Sequence, residues 1–303
     1  MAQASDSSTQ NSIAQAPGLI MRPRRKWETV RRFLQRRIAI VGLVMSLTVS
    51  LMALFAPVLS PYDPTVSDFP SKLQSPSFEH YMGTDSQGRD LFSRLAYGAR
   101  ISLEVGIIAS GLAVVIGATL ALVLTYRGGI ADNIMVMVMD MMLSFPLFLL
   151  ALTLMAILGA GLQNVVIAVV VSSIPRYARV MRGEVLAIKE RPFIEAERAI
   201  GANPLRVMFI HILPNTVMPL LILFTLQVPG IILLEASLSF LGAGVPPSIP
   251  TWGNMINDGR SYLQTGWWMS LFPSLGIIVT VMGFNLLGDG LRDALDPRLR
   301  GQS

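Results

Sequence analysis

FIEAERAIGANPLRVMFIHILPN, Phe193 to Asn215, is a polar and charged passage between two long apolar blocks. Pro192 suits the first turn of a helix, where its missing N–H removes no bond, and Phe193, Ala196 and Ile200 then fall on one face. Gly201 ends that helix, because glycine just past a helix takes the left-handed conformation without a Cβ penalty. Asn203 and Pro204 read as the N-cap and first residue of a second helix, and Pro214 is expected to interrupt it as the chain turns apolar. Such a layout outside a bilayer is either a rigid finger that another protein pushes on or an ordinary connection between spans. Local chemistry leaves both open.

The flanking apolar blocks place the finger in a membrane protein. The chain of 303 residues is 52% hydrophobic and 14% charged, with a mean hydropathy of +0.56, far from a soluble balance. It has no cysteine, which removes disulfides, thiolate metal sites and cysteine nucleophiles. Only His80 and His211 carry imidazole, so no metal site is expected. Residues 1–20 are rich in Ser, Gln and Ala and are expected to be disordered. The basic cluster of Arg22, Arg24, Arg25, Lys26, Arg31, Arg32, Arg36 and Arg37 follows, directly before the apolar block Ile38 to Leu59. That order reads as an uncleaved anchor helix with a topology signal, and nucleic-acid binding is not expected.

Residues 60–100 are polar, with Pro61, Pro64, Pro70 and Pro76 keeping the first half extended. Near their end Leu91 and Leu95 share a helical face, and Asp90 and Arg94 stand four apart as a charge pair. A short amphipathic helix at the interface is expected. Further blocks run from Ile101 to Tyr126, Ile134 to Leu158, Leu162 to Val180, Val217 to Leu241 and Leu271 to Leu291. With the first they make six spans of the length a hydrocarbon core of about 30 Å needs. With the amino terminus inside, 19 of the 24 Lys and Arg fall on inside segments. The positive-inside rule therefore puts both termini and the finger in the cytoplasm. The expected organisation is a tail at 1–37, a first span at 38–59, an extracytoplasmic loop at 60–100, a core at 101–291 with a cytoplasmic loop at 181–216, and a tail at 292–303.

Catalytic chemistry is missing from the pattern. The three lysines, Lys26, Lys72 and Lys189, sit in no Gly-x-x-x-x-Gly-Lys-Ser/Thr loop, and there is no Gly-x-Ser-x-Gly elbow. Glu104, Asp140 and Glu235 lie within or beside apolar blocks, where an ionisable group is costly and draws attention. They admit a proton pathway, as in a stand-alone ion-coupled transporter. The plainer reading pairs Glu104 with Arg100, sets Asp140 near the cytoplasmic end and gives Glu235 a helix interface or pore wall. Asp289, Arg292, Asp293 and Asp296 have the spacing of a helix-stabilising charge network.

The residues resemble the inner-membrane permease subunits of binding-protein-dependent ABC importers. That family's loop reads Glu-Ala-Ala, three residues, Gly, nine residues, then Ile-x-Leu-Pro, and here it becomes Glu195-Ala196-Glu197, Gly201 and His211-Ile212-Leu213-Pro214. Glu197 and His211 are the two departures. Met82 to Leu103, Ser237 to Ile256 and Phe284 to Gly301 resemble in order the C-type subunit of dipeptide and oligopeptide importers. The resemblance implies an all-α membrane protein with the six transmembrane helices of the type I importer permease fold, in the bacterial cytoplasmic (inner) membrane. It also implies a B-type sister permease, cytoplasmic ABC ATPase subunits that bind ATP and Mg, an extracytoplasmic solute-binding protein and membrane lipid as partners. This chain would bind no cofactor of its own and would not be the enzyme. Phe193, Glu195, Ala196, Ala199, Gly201, Leu213 and Pro214 would form the ATPase-coupling site, with Asp140 and Glu235 at a pore or helix interface. Peptide is the substrate implied; nickel, glutathione, opine-like and haem-type solutes stay open.

Overall fold

The computed structural model describes Phe33 and residues 36–295. The basic residues from Arg22 to Arg32, the Ser-rich start, Asp296, Arg298 and Arg300 lie outside the described residues. The chain forms α1 (Arg37–Leu54), a short α2 (Ala56–Leu59), α3 (Leu91–Arg127), α4 (Gly129–Leu143), α5 (Leu147–Leu158), α6 (Leu162–Lys189) and α7 (Pro192–Ala199). Then come α8 (Pro204–Phe240), α9 (Trp252–Gly259) and α10 (Trp268–Leu295). No strand occurs among the described residues.

Helices α1, α3, α6, α8 and α10 are each long and apolar enough to cross a membrane, and α4 with α5 makes a sixth if the pair counts as one span. That pair is bent by 92°, so the block expected as one span, Ile134 to Leu158, is broken beside Pro146. Ser144 Oγ turns back to the Asp140 carbonyl at 2.7 Å, and Pro146 disfavours helical geometry at Phe145. The outer surfaces are aliphatic: Val44 and Leu47 on α1, Ile107 and Val115 on α3, and Leu275 and Ile278 on α10 are exposed. Lipid is the solvent that such faces require.

Small residues let the helices approach. A Cβ on Gly106 would stand 2.6 Å from Ile232 of α8, and one on Gly117 would stand 2.9 Å from the Ile174 carbonyl of α6. Gly111, between them on α3, meets nothing within 4 Å and borders an apolar groove toward α8.

The expected short amphipathic helix does not stand apart. Leu91 opens α3, whose 37 residues extend roughly 55 Å without a break. Asp90 caps that helix, accepting from Ser93 N at 2.8 Å, and pairs with His80 Nδ1 at 2.9 Å. The expected Asp90–Arg94 pair is therefore replaced: Arg94 donates to the Pro64 carbonyl at 3.0 Å, and its Nε lies 3.5 Å from Asp85. Arg89 joins Asp85 at 2.6 Å to Asp258 at 3.3 Å, and Trp268 Nε1 donates to the Thr84 carbonyl. Residues 60–90 and 241–267 are thereby tied into one polar cap over the Leu91 end of α3. The finger is at the other end, beside Tyr126. Arg36 and Asp293 form an exposed pair at 3.0 Å, so Asp293 links α10 to the start of α1 rather than to its own helix.

Candidate functional site

Helix α7 begins at Pro192 and closes in two reverse bonds. Gly201 N donates to the Arg198 carbonyl and Ala202 N to the Glu197 carbonyl, both at 3.0 Å, the pairing of a Schellman cap. Gly201 has φ +78°, and nothing lies within 4 Å of a Cβ built there, so the residue is required by conformation and not by space. Asn203 Oδ1 accepts from Leu205 N at 2.9 Å and starts α8 as its cap. Phe193, Glu195, Ala196, Ala199 and Ile200 are all exposed, with Ile200 at 80%. An eight-residue helix thus shows two large apolar side chains and a carboxylate to its surroundings.

A single inward side chain holds it. Ile194 is 0% exposed and packs with Met181, Val185 and Ile188 of α6 and with Val207, Met208 and Ile212 of α8. Burying one isoleucine contributes about 1.5–3 kcal/mol, a large share of what fixes a helix too short to persist alone. Arg198 stacks over the Tyr126 ring at 5.3 Å, joining α7 to the end of α3, and Lys189 covers the same ring at 5.8 Å. Sequence reading passed over Ile194 and Arg198. Their signals were present, as the one aliphatic residue opposite the exposed face and as a cation four residues beyond it.

Glu197 and His211, the two positions that depart from the loop pattern, meet each other. Glu197 Oε1 lies 3.4 Å from His211 Nε2, with the Phe193 ring 6.5 Å from the imidazole. The two atoms do not meet hydrogen-bond geometry, and the contact is ionic only when the imidazole carries a second proton. Pro214 does not interrupt the second helix as expected. Its missing N–H and its ring are accommodated by six π-helical residues, Val207–Ile212, after which the helix continues to Phe240. The Asn215 amide donates to the His211 carbonyl at 2.6 Å inside that wide turn. Pro214 is exposed there, and Leu213 is half-buried against the core beneath α7.

The intramembrane acids separate by environment. Glu235 is 0% exposed between α3 and α8, accepting from Ser102 Oγ at 3.1 Å and Ser239 Oγ at 2.9 Å. It occupies a helix interface and faces no opening. Asp140 is exposed on α4 and pairs with Arg179 of α6. Glu104 is exposed and makes no ion pair with Arg100. Sequence reading missed Asp132, which is buried, accepts from Thr125 Oγ1 at 2.9 Å and takes two bonds from Arg182 at 3.0 and 2.8 Å. This pair fastens α4 to α6 and α3 next to the finger.

The described residues thus form a helical membrane domain with one capped finger at one end and a folded polar cap at the other. Residues 113–301 match the family model of the binding-protein-dependent transport system inner membrane component, and residues 26–76 match the N-terminal TM domain of oligopeptide transport permease C. The chain belongs to this family of binding-protein-dependent inner-membrane permeases, and it is a multi-pass protein of that membrane. It is 42% identical over 273 residues to the dipeptide transport system permease protein DppC of Alkalihalophilus pseudofirmus, covering 90% of each chain. It is 44% identical over 271 residues to the glutathione transport system permease protein GsiD of Pectobacterium atrosepticum, covering 89% of this chain and 90% of that one. The GsiD of Escherichia coli O157:H7 is 41% identical over 272 residues, covering 89% and 90%.

Proposed function

We propose that this chain is the C-type permease of an importer that carries di- or oligopeptides inward across the cytoplasmic membrane. ATP is hydrolysed, with Mg, on separate cytoplasmic ABC ATPase subunits. A B-type sister permease completes the pathway, and an extracytoplasmic binding protein delivers the solute to the polar cap of residues 60–90 and 241–267. Helix α7 is the coupling helix. Phe193, Glu195, Ala196 and Ala199 enter a groove on an ATPase subunit, and Gly201, Leu213 and Pro214 set the angle of the loop that carries them.

The observation that carries this reading is the construction of α7. Its outward face is apolar and acidic, with Glu195, Ala196, Ala199 and Ile200 exposed among the described residues, while Ile194, Arg198 and the Schellman cap bind it to α6, α3 and α8. A push on α7 is therefore delivered to three spans at once. The basic residues Arg127, Arg182, Lys189, Arg191, Arg198 and Arg206 gather toward this end, which supports its cytoplasmic placement and that of both termini. Glutathione stands beside peptides as substrate, since relatives named for each are of similar identity to this chain.

Reconstitution of the complete importer in proteoliposomes tests the proposal. Uptake of a labelled dipeptide, oligopeptide or glutathione must require ATP, the ATPases and the binding protein. Glu195→Arg must abolish uptake while the protein stays inserted. Uptake that continues without ATP or partner subunits would overturn the reading.

A further inference from the structure

Two helices bring charge, and a third brings a neutral amide, to one exposed face. Arg179 of α6 pairs with Asp140 of α4, and their side chains remain 55% and 57% exposed. Arg176, one turn back along α6 and also exposed, donates to Gln227 Oε1 of α8 at 2.9 Å. A cavity of about 460 Å³ opens beside the pair, with Asn133, Met137, Ser144 and Arg182 in its lining.

The depth of this face decides what it meets. Helix α6 starts at the polar cap, where Gly161 N donates to the Gly244 carbonyl. Arg176 lies roughly 21 Å along the helix from Leu162, and Arg179 roughly 26 Å, at 1.5 Å per residue. Both distances fall within a hydrocarbon core of about 30 Å. An ionic side chain is costly where it faces hydrocarbon. Val115 of α3 and Ile278 of α10 present aliphatic side chains on the outer surfaces of their spans, whereas this face presents paired charges. The charges of α4 and α6 are therefore turned away from lipid.

The arginines also differ in what they have left to bind. Arg182 is held by both oxygens of Asp132, and Arg179 has Asp140. Arg176 has a neutral amide and no carboxylate within ion-pair distance among the described residues. A guanidinium with unused donors, in contact with water, suits a carboxylate that arrives and leaves.

We propose that Asp140, Arg176, Arg179 and Gln227 form part of the wall of the water-filled translocation path, in its finger-side half, and that Arg176 engages solutes bearing a free carboxylate. This rests on the importer reading and names the solute chemistry that its path accepts.

The absence of cysteine from the chain makes accessibility measurable. Single Met137→Cys and Val115→Cys variants of the full importer in lipid nanodiscs are treated with membrane-impermeant sulfonatoethyl methanethiosulfonate. Met137→Cys, in the cavity lining, is expected to react at least tenfold faster than Val115→Cys, whose native side chain is 63% exposed in the apolar groove of α3. In proteoliposomes Arg176→Glu is expected to lower uptake of a peptide with a free carboxylate at least fivefold per inserted complex. A labelling ratio below tenfold, from burial against the sister permease or in lipid, overturns the proposal, as does an uptake loss below fivefold. The labelling arm keeps every arginine and so does not depend on the folding of the charge variant. Loss of ATP-driven uptake in the cysteine-free parent would count against the importer reading instead, which separates the two failures.

Discussion

Ile194→Ala separates the anchor of α7 from its outward face. The side chain is 0% exposed among Met181, Val185, Ile188, Val207, Met208 and Ile212, and none of the exposed residues of α7 is altered by the change. Truncation of a buried isoleucine to alanine costs about 2–5 kcal/mol, from lost transfer energy and the cavity left behind. Taking about 2–4 kcal/mol, and assigning it to the docking of α7 onto α6 and α8, the ratio of held to released helix falls roughly 30- to 700-fold. The spans retain their other contacts, so insertion should survive. Hydrogen exchange across residues 192–206 should accelerate by that factor while exchange in α3 is unchanged. Uptake should fall at least tenfold while ATP hydrolysis by the assembled importer continues, because the push no longer reaches the spans. Ile194→Val, costing about 0.5–1.5 kcal/mol, should keep most uptake. Accelerated exchange with full uptake in Ile194→Ala would refute the argument that this contact transmits the motion.

Other expectations follow from the same geometry. At Gly201, φ +78° with open space predicts that Gly201→Asn is tolerated, whereas Gly201→Val, strained by about 1–2 kcal/mol in the left-handed region, loosens the loop and lowers uptake; equal uptake in the two variants would show that conformation is not what matters. Arg182→Ala leaves the Asp132 carboxylate with Thr125 alone and should lower stability by about 1–3 kcal/mol, measured by thermal unfolding in detergent, with part regained in Asp132→Asn/Arg182→Ala. Burial pushes the Asp258 carboxyl above its ordinary 3.8, against the pull of Arg94 and Arg89. The folded state then holds that proton more tightly than the unfolded one, so stability falls as pH rises from 3.8 through the raised value. Asp258→Asn removes this contribution, and its melting temperature should drop less than the parent's across that interval.

The apolar blocks were legible because lipid demands nearly continuous hydrophobicity, and the ends of α7 were legible because Pro192, Gly201 and Asn203 have local effects that do not depend on the rest of the fold. What escaped were contacts between distant segments. Nothing local tells that Asp90 will take His80 and leave Arg94 to Pro64, or that Arg36 will find Asp293. Pro146 marked a place for a kink, but the full break at Ser144 to Pro146 was not legible, because apolar periodicity has no phase to lose inside a hydrophobic run. Pro214 misled in the opposite sense, since a proline that would end an isolated helix is absorbed by a π-helical stretch when flanking residues are buried. Glu197 and His211, each an exception along the chain, become a contact only once the Schellman cap folds α7 back over α8.

The central claim is that the exposed face of α7 is seated on an ATPase subunit, and a photo-crosslinker installed at Ala196 of the intact, membrane-embedded importer tests it most directly. The account predicts an adduct with an ATPase subunit from Ala196, and none from a crosslinker at Ile278 on the aliphatic surface of α10. An Ala196 adduct with lipid or with the solute-binding protein, and none with the ATPase, would contradict it.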